Sequence, residues 1–429
     1  MMNLFFRGIC LSIPFFGFGQ QFKAVQIPKP DSATYSYAQV EPSIAINPLK
    51  PKEMIAGTVM DDYYYSTNGG KKWKAQTLRS KYGVNGDPVM HIDQKGRYYY
   101  FHLASPKTFG HHLDRIVCQS TNTITGDFNE ESFTTPVGEK VQDKHWVAEH
   151  PLNGELYLTW TQFDAYHSEN PEDSSQIMFA KSTDQGQSWS TPKRISKRGG
   201  DCLDDDNTVE GAVPAVGPDG TIYVAWTGPN GLVFTKSTDG GETWLEKEID
   251  VAQQVEGWTL SIPGIYRANG LPILRCNPVN GELYLNWADQ RNGTEDTDIW
   301  ISKSTDGGET WSAPIKVNQD ESKRHQFFTW LSIDPISGYL YVVYYDRRAT
   351  KGNATDVYLS VSKDGAQSFT DYKISSSSFT PDDKVFFGDY TNIAVYDGII
   401  RPIWSRMDNN EISLWVALMK QKELDKINK

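Results

Sequence analysis

Polar residues capable of acid–base and ionic chemistry open a series of apolar, β-type runs in this chain. Glu41 precedes "PSIAIN", Asp87 sits in "NGDPVMHI", Asp143-Lys144-His145-Trp146 lead into "VAEH", and Glu210 stands in "TVEGAVPAV". Tyr266-Arg267 with Asn269, His325-Gln326 and Asp389-Tyr390 continue the series. Segments that follow other runs add Asp62, Asp289 with Arg291, Asp346-Arg347-Arg348, and Arg406 with Asp408. Carboxyls tuned by their surroundings serve as general acids and bases, and arginine grips carboxylate or sulfate with two parallel N–H bonds. Trp146, Trp258 and Trp330 add flat faces on which a sugar ring can stack. Asp-Arg pairs such as those in "ADQR" and "YDRR" also tie neighbouring strands together, so the set carries more weight than any member.

These residues need elements that bring them to one place, and a repeat supplies them. "STDGGETW" occurs at 237–244 and at 304–311, with looser copies "STNGGKKW" from Ser66, "STDQGQSW" from Ser182 and "SKDGAQSF" from Ser362. "STNTITGDF" from Ser120 fills the gap in the series, and the period is about 58 residues. One period, Gly270–Gln319, reads as four short strands separated by turn residues: Leu271–Cys276, Glu282–Ala288, Asp298–Lys303 and Ala313–Val317. Four antiparallel strands per period predict an all-β propeller blade. Inner strands starting near Pro42, Pro88, His145, Ala212, Leu271, Thr329 and Tyr390 predict seven blades, six being the other count considered. The last supplies three strands, and "FKAVQI" at 22–27 is expected to close the ring as its fourth. In the octapeptide the Asp can cap turn amides, the Gly can take positive φ, and the Trp can pack back on the blade. It therefore builds a corner between strands three and four. The residues opening the inner strands then converge on the opposite face, near the axis. Trp160, Trp226, Trp287 and Trp404, at matching second-strand positions, are expected in the core.

The composition bounds the setting. The chain has 429 residues, 54 acidic against 42 basic, a formal net charge of −12 and no basic block, which argues against nucleic acid as a partner. Arg7 followed by the apolar run Ile9–Phe18 and "GFG" reads as a signal peptide, 1–19, too short to span a bilayer. A secreted or periplasmic protein follows, with a propeller over 20–420 and a polar tail over 421–429, expected as a monomer without a membrane span. Cys118, Cys202 and Cys276 have no metal-ligand spacing and are expected as structural residues. "DCLDDDNTVE" sets Asp201, Asp204, Asp205 and Asp206 within six residues, a weak calcium candidate without EF-hand spacing; no other cofactor is indicated.

The octapeptides resemble the Asp-box repeat, Ser-x-Asp-x-Gly-x-x-Trp, of sialidase-like propellers. "DKHWVAEHP", "NTVEGAVPAVGP", "HQFFTWLSIDP" and "FFGDYTNIAV" resemble secreted bacterial proteins grouped as sialidase-like or glycosyl-hydrolase-like. That resemblance implies a glycoside hydrolase acting on an anionic or complex glycan, with a tyrosine nucleophile assisted by a glutamate, an aspartate acid and an arginine clamp on the substrate's carboxylate. Here Tyr390, Glu210 and Asp87 are the candidates, with Arg267, Arg291, Arg347 and Arg406 for binding, beside Asp143, Asp389, Trp146 and Trp330. The Arg-Ile-Pro motif of sialidases is missing, since "QIPKP" has no arginine. Two alternatives stand beside this: a lyase on uronate-containing glycans, with His145 and Tyr390 as base and acid, and a non-catalytic glycan-binding propeller.

Overall fold

The computed structural model describes residues 22–30, 39–105 and 113–427, so the expected signal segment lies outside the described residues. The chain forms a seven-bladed β-propeller of four-stranded antiparallel blades with one short helix, Gln421–Ile427. No helix among the described residues is long and apolar enough to cross a membrane. The innermost strands are Ser43–Ile46, Gly86–Ile92, Val141–Glu149, Glu210–Val216, Ile273–Cys276, Gln326–Ile333 and Asn392–Tyr396, opening blades 1 to 7. Blade 7 continues through Ile399–Asp408 and Glu411–Ala417. Its outer edge pairs with Ala24–Ile27, Ala24 lying opposite Ala417.

Middle strands are apolar on both faces because a neighbouring blade covers each side. Leu283–Asp289, "LYLNWAD", is buried at every position. Trp160, Trp226, Trp287 and Trp404 are all enclosed. Cys118 and Cys202 are buried free thiols, and Cys276 is a partly buried one.

The octapeptides form the turns after the third strands. In the copy at 304–311 the Ser304 hydroxyl donates to Asp306 at 2.8 Å and accepts the Gly308 N–H at 2.9 Å, while Asp306 accepts the Thr310 N–H at 3.0 Å. Hydrogen bonds to Asp306 from the Thr310 hydroxyl, the Thr310 N–H and the Ser304 hydroxyl draw its carboxyl down to about 2. The copy at 237–244 repeats the pattern. Each turn is also stapled to the blade before it: Lys236 Nζ donates to the Gly307 carbonyl at 3.0 Å and pairs with Glu309 at 2.5 Å. The register sets Ser304 opposite Leu283 and Asp289 opposite Asp298. The octapeptide turn and the turn joining the first two strands therefore share one face, and the second-to-third connections occupy the other.

Gly308 is required twice over. Its φ is +87°, and a Cβ there would lie 2.3 Å from the ring of Phe234 in the preceding blade. Gly307 has φ +69° but open space, with nothing nearer than 3.7 Å. A left-handed alanine costs about 1–2 kcal/mol, and overpacking adds about 1–3 kcal/mol. Gly308→Ala is expected to lower the urea unfolding free energy by about 3 kcal/mol, and Gly307→Ala by about 1 kcal/mol. Equal losses would show that the ring contact contributes nothing.

Candidate active site

The site is assembled by a backbone irregularity repeated around the ring. Pairing slips between Gly86 and Val89, Asp143 and Trp146, Glu210 and Val213, and Phe327 and Trp330. Within these bulges Asp87, Lys144, Gly211 and Phe328 take left-handed conformations (φ 48°, 48°, 72° and 51°), and Glu41 does the same in blade 1 at 53°. A bulge re-aims side chains at the end of a strand, and non-glycine residues tolerate such backbone only where surrounding contacts impose it. Asp87, Lys144 and Glu41 carry charged groups at the opening of the inner strands, on the face opposite the octapeptide turns.

At the centre Asp389 receives a two-pronged grip from Arg267: Nε donates to Oδ1 at 2.8 Å and Nη2 to Oδ2. Lys144 Nζ donates to the same Asp389 Oδ2 at 2.7 Å and lies 3.9 Å from Asp87 Oδ1. The Lys144 N–H donates to Asp87 Oδ2 at 3.2 Å, and the Tyr390 hydroxyl donates to Asp87 Oδ1 at 3.4 Å. Lys144 and Asp389 are buried, whereas the Arg267 side chain is 44% exposed at the rim.

The carboxyls divide by protonation. Burial works against ionisation of Asp389, but Arg267 and Lys144 overcome it and hold the carboxyl well below the usual range. Asp87 is likewise held down against burial, chiefly by Lys144 and by a hydrogen bond from Asp143. Glu41, Asp143 and Glu210 are pushed well above it, burial being the largest cause in each, with neighbouring carboxylates adding to it. Neither Glu210 oxygen receives a donor from the protein. A proton on Glu210 has an acceptor beside it, the Asp204 carboxyl. Asp204 in turn accepts the Tyr166 hydroxyl at 2.7 Å and the Trp258 indole N–H at 3.2 Å, and stands 3.8 Å from Arg267 Nη1. A small pocket of about 80 Å³ opens among Lys144, Asp204, Trp258, Arg267, Asn269 and Asp389.

Of the residues singled out from sequence, Asp87, Glu210, Tyr390, Arg267, Asp143 and Asp389 come together here. His145 is enclosed, and burial pulls its imidazole down to about 4, so it is neutral. Trp146 and Trp330 face each other at 4.4 Å between ring centroids, with Tyr390 against both at 5.3 and 5.8 Å. The three rings form a plug, and neither indole presents a face to solvent. The remaining arginines are engaged elsewhere: Arg291 with Asp289, Arg406 with Asp408, and Arg347 with Thr355 and the Pro263 carbonyl. In the acidic loop Asp201 bonds Thr208, Asp205 accepts the Asn207 N–H, Asp206 accepts the Thr259 N–H, and Asp204 turns into the pocket. Among the described residues no group of three or more His, Cys, Asp or Glu is arranged to hold a metal ion.

Asp204, noted from sequence only as a weak calcium candidate, and Tyr166 are the site residues that sequence reasoning did not put forward for this chemistry, and Lys144 was noted without a role. Lys144 lies in the "DKHW" opening already noted. Asp204 lies just ahead of a blade's inner strand, the same kind of position that supplied Asp143 and Asp389. Tyr166, in a long second-to-third connection, carries no comparable sequence signal.

The fold and site define a seven-bladed propeller with a carboxyl-rich axial pocket. No protein family and no curated protein sequence matches the chain. Among solved structures it is similar to an ulvan lyase bound to a glucuronate–sulfated rhamnose glycan, with 14% identity over 90% of this chain and 96% of that one, at a TM-score of 0.52. It is similar to the NanB sialidase of Streptococcus pneumoniae, with 11% identity over 86% and 83% and a TM-score of 0.50. A Dyadobacter fermentans protein of unknown function matches with 12% identity over 94% and 99%, also at 0.50. At these identities the likeness is one of fold.

Proposed function

We propose that this chain is a secreted, sialidase-like glycoside hydrolase that cleaves a glycosidic bond at the axial pocket. The observation that supports this most is a small pocket lined by Asp204, with the proton-holding Glu210 behind it, and by Asp389, which is held ionised. Glycoside hydrolysis needs one carboxyl to protonate the leaving oxygen and one carboxylate to answer the positive charge that develops on the sugar ring. Asp204 lines the pocket between Glu210 and the leaving oxygen and relays the proton that Glu210 holds. Asp389, kept ionised by Arg267 and Lys144, is the carboxylate that stabilises the developing cation. Asp143 and Asp87 form a second carboxyl pair behind Lys144.

Sialidase and ulvan lyase neighbours act on glycans, which is consistent with this reading, although fold alone does not fix chemistry. Export rests on the N-terminal segment, and the reading of the octapeptides as Asp-box turns rests on their sequence.

The test is incubation of the purified protein with sialosides, neutral glycosides and uronate polysaccharides, followed by mass spectrometry and ultraviolet absorbance. Products heavier by one water per cleaved bond are expected. An unsaturated uronate would identify a lyase, and retention of a glycan without turnover would identify a binding protein.

A further inference from the structure

Every cation at the axial pocket is already answered by the protein. Arg267 spends its two-pronged grip on Asp389, and Lys144 is shared between Asp389 and Asp87. Around these two cations stand six carboxyl groups: Glu41, Asp87, Asp143, Asp204, Glu210 and Asp389. A clamp on a substrate carboxylate needs arginines whose forks are open, and the other candidates, Arg291, Arg347 and Arg406, are bonded elsewhere. An acidic sugar entering here would meet the Asp204 and Asp389 oxygens, and the Arg267 edge that would grip it is already closed on Asp389, leaving only Nη1, 3.8 Å from Asp204, in a partly buried setting where charges are poorly screened. Hydroxyl or amino donors would instead find acceptor oxygens on Asp204 and Asp389.

From this internal pairing we infer that the axial pocket takes a sugar unit without a carboxylate or sulfate, so that the substrate unit at the reaction centre is neutral or amino-bearing. This rests on the glycan reading but not on turnover. At about 80 Å³ the pocket is well below the roughly 300–1,000 Å³ of sites that enclose a drug-sized ligand, which suits one edge of a single unit. Acidic groups elsewhere on a longer glycan are not restricted by it.

The test is binding, measured by saturation-transfer NMR and calorimetry with methyl glucoside, methyl glucosaminide and methyl glucuronide. The wild-type protein is expected to bind the glucuronide at least about tenfold more weakly than the better of the other two. Asp389→Asn opens the Arg267 fork and is expected to raise glucuronide affinity by about tenfold or more. Asp87→Asn, which removes the more distant carboxylate beside Lys144 and leaves the Arg267 fork closed on Asp389, provides the same comparison in a second background and is expected to give a smaller rise. Glucuronide binding by the wild type equal to or tighter than the others would overturn the inference, as would a glucuronide affinity that fails to rise in a folded Asp389→Asn protein. Absence of hydrolysis with these binding preferences intact would overturn the catalytic reading and leave this one standing.

Discussion

Asp389→Asn is expected to lower the unfolding free energy by about 3 kcal/mol at pH 7, the low end of what removal of one partner from a buried ion pair costs. The substitution keeps the size of the side chain and removes only its charge. Lys144, fully enclosed, then loses its nearest counter-charge and keeps only Asp87 at 3.9 Å. Arg267 loses its fork partner too, but at 44% exposure it recovers most of that in water and adds little to the total. The sign with pH follows from the direction of the shifts. Asp389 is lowered in the fold, so its contribution is present above the ordinary carboxylate range and is lost as pH falls through and below it. Lys144 is raised, so its contribution is complete below the ordinary lysine range and is lost only at more alkaline pH. The difference between wild type and variant should therefore be flat from about pH 5 to pH 9 and shrink on acidification below about pH 4. Urea titrations at pH 3, 5, 7 and 9 measure it. A constant difference down to pH 3 would mean that the lost interaction was not ionic.

Asp204→Asn is expected to reduce kcat/KM by about 10²–10⁴-fold on whichever glycoside the panel identifies, the usual range for loss of a general acid. The thermal midpoint should move only slightly, since the asparagine oxygen can still accept the Trp258 indole N–H while its NH2 donates to the Tyr166 hydroxyl oxygen. Glu210→Gln separates positioning from chemistry. Glu210 is enclosed behind Asp204 and acts through it, so removing its proton supply should change the pH profile of kcat as well as its height. A glycoside with a very acidic phenol as leaving group needs little protonation, and on it both variants should regain most of their activity. If Asp204→Asn keeps wild-type turnover, the proton comes from elsewhere, and the Asp143–Asp87 pair is the next place to look.

Much of the architecture was legible because local chemistry repeats. The Ser, Asp and Gly of the octapeptide satisfy one another's hydrogen bonds within a few residues, so the turn is encoded where it stands, as Ser304, Asp306 and Gly308 show. The spacing of those turns gave the blade length, and alternating turn and apolar segments gave four strands per blade. The site was legible as a zone. Polar residues at the openings of inner strands must approach the axis of any propeller, and Asp87, Asp143, Glu210, Arg267 and Asp389 do.

The pairing within that zone was not legible, because it joins residues far apart in the chain. Lys144 reaches Asp389 across 245 positions, and Tyr390 reaches Asp87 across 303. Arg267, Arg291, Arg347 and Arg406 look alike as arginines beside acidic or polar neighbours. A local carboxylate two residues away holds Arg291 and Arg406, loop carbonyl and hydroxyl groups hold Arg347, and Arg267 alone of the four is turned onto a distant Asp389. The aromatic candidates divided in the same way: Trp146 and Trp330 fill the axis against Tyr390, whereas Trp258 lines the pocket. Turns and strands arise from contacts within a few residues, so the amino-acid order was enough to reveal them. Which acid keeps its proton, and which cation remains free for a ligand, depends on burial and on charges brought together by ring closure. Those quantities exist only once the seven blades are packed.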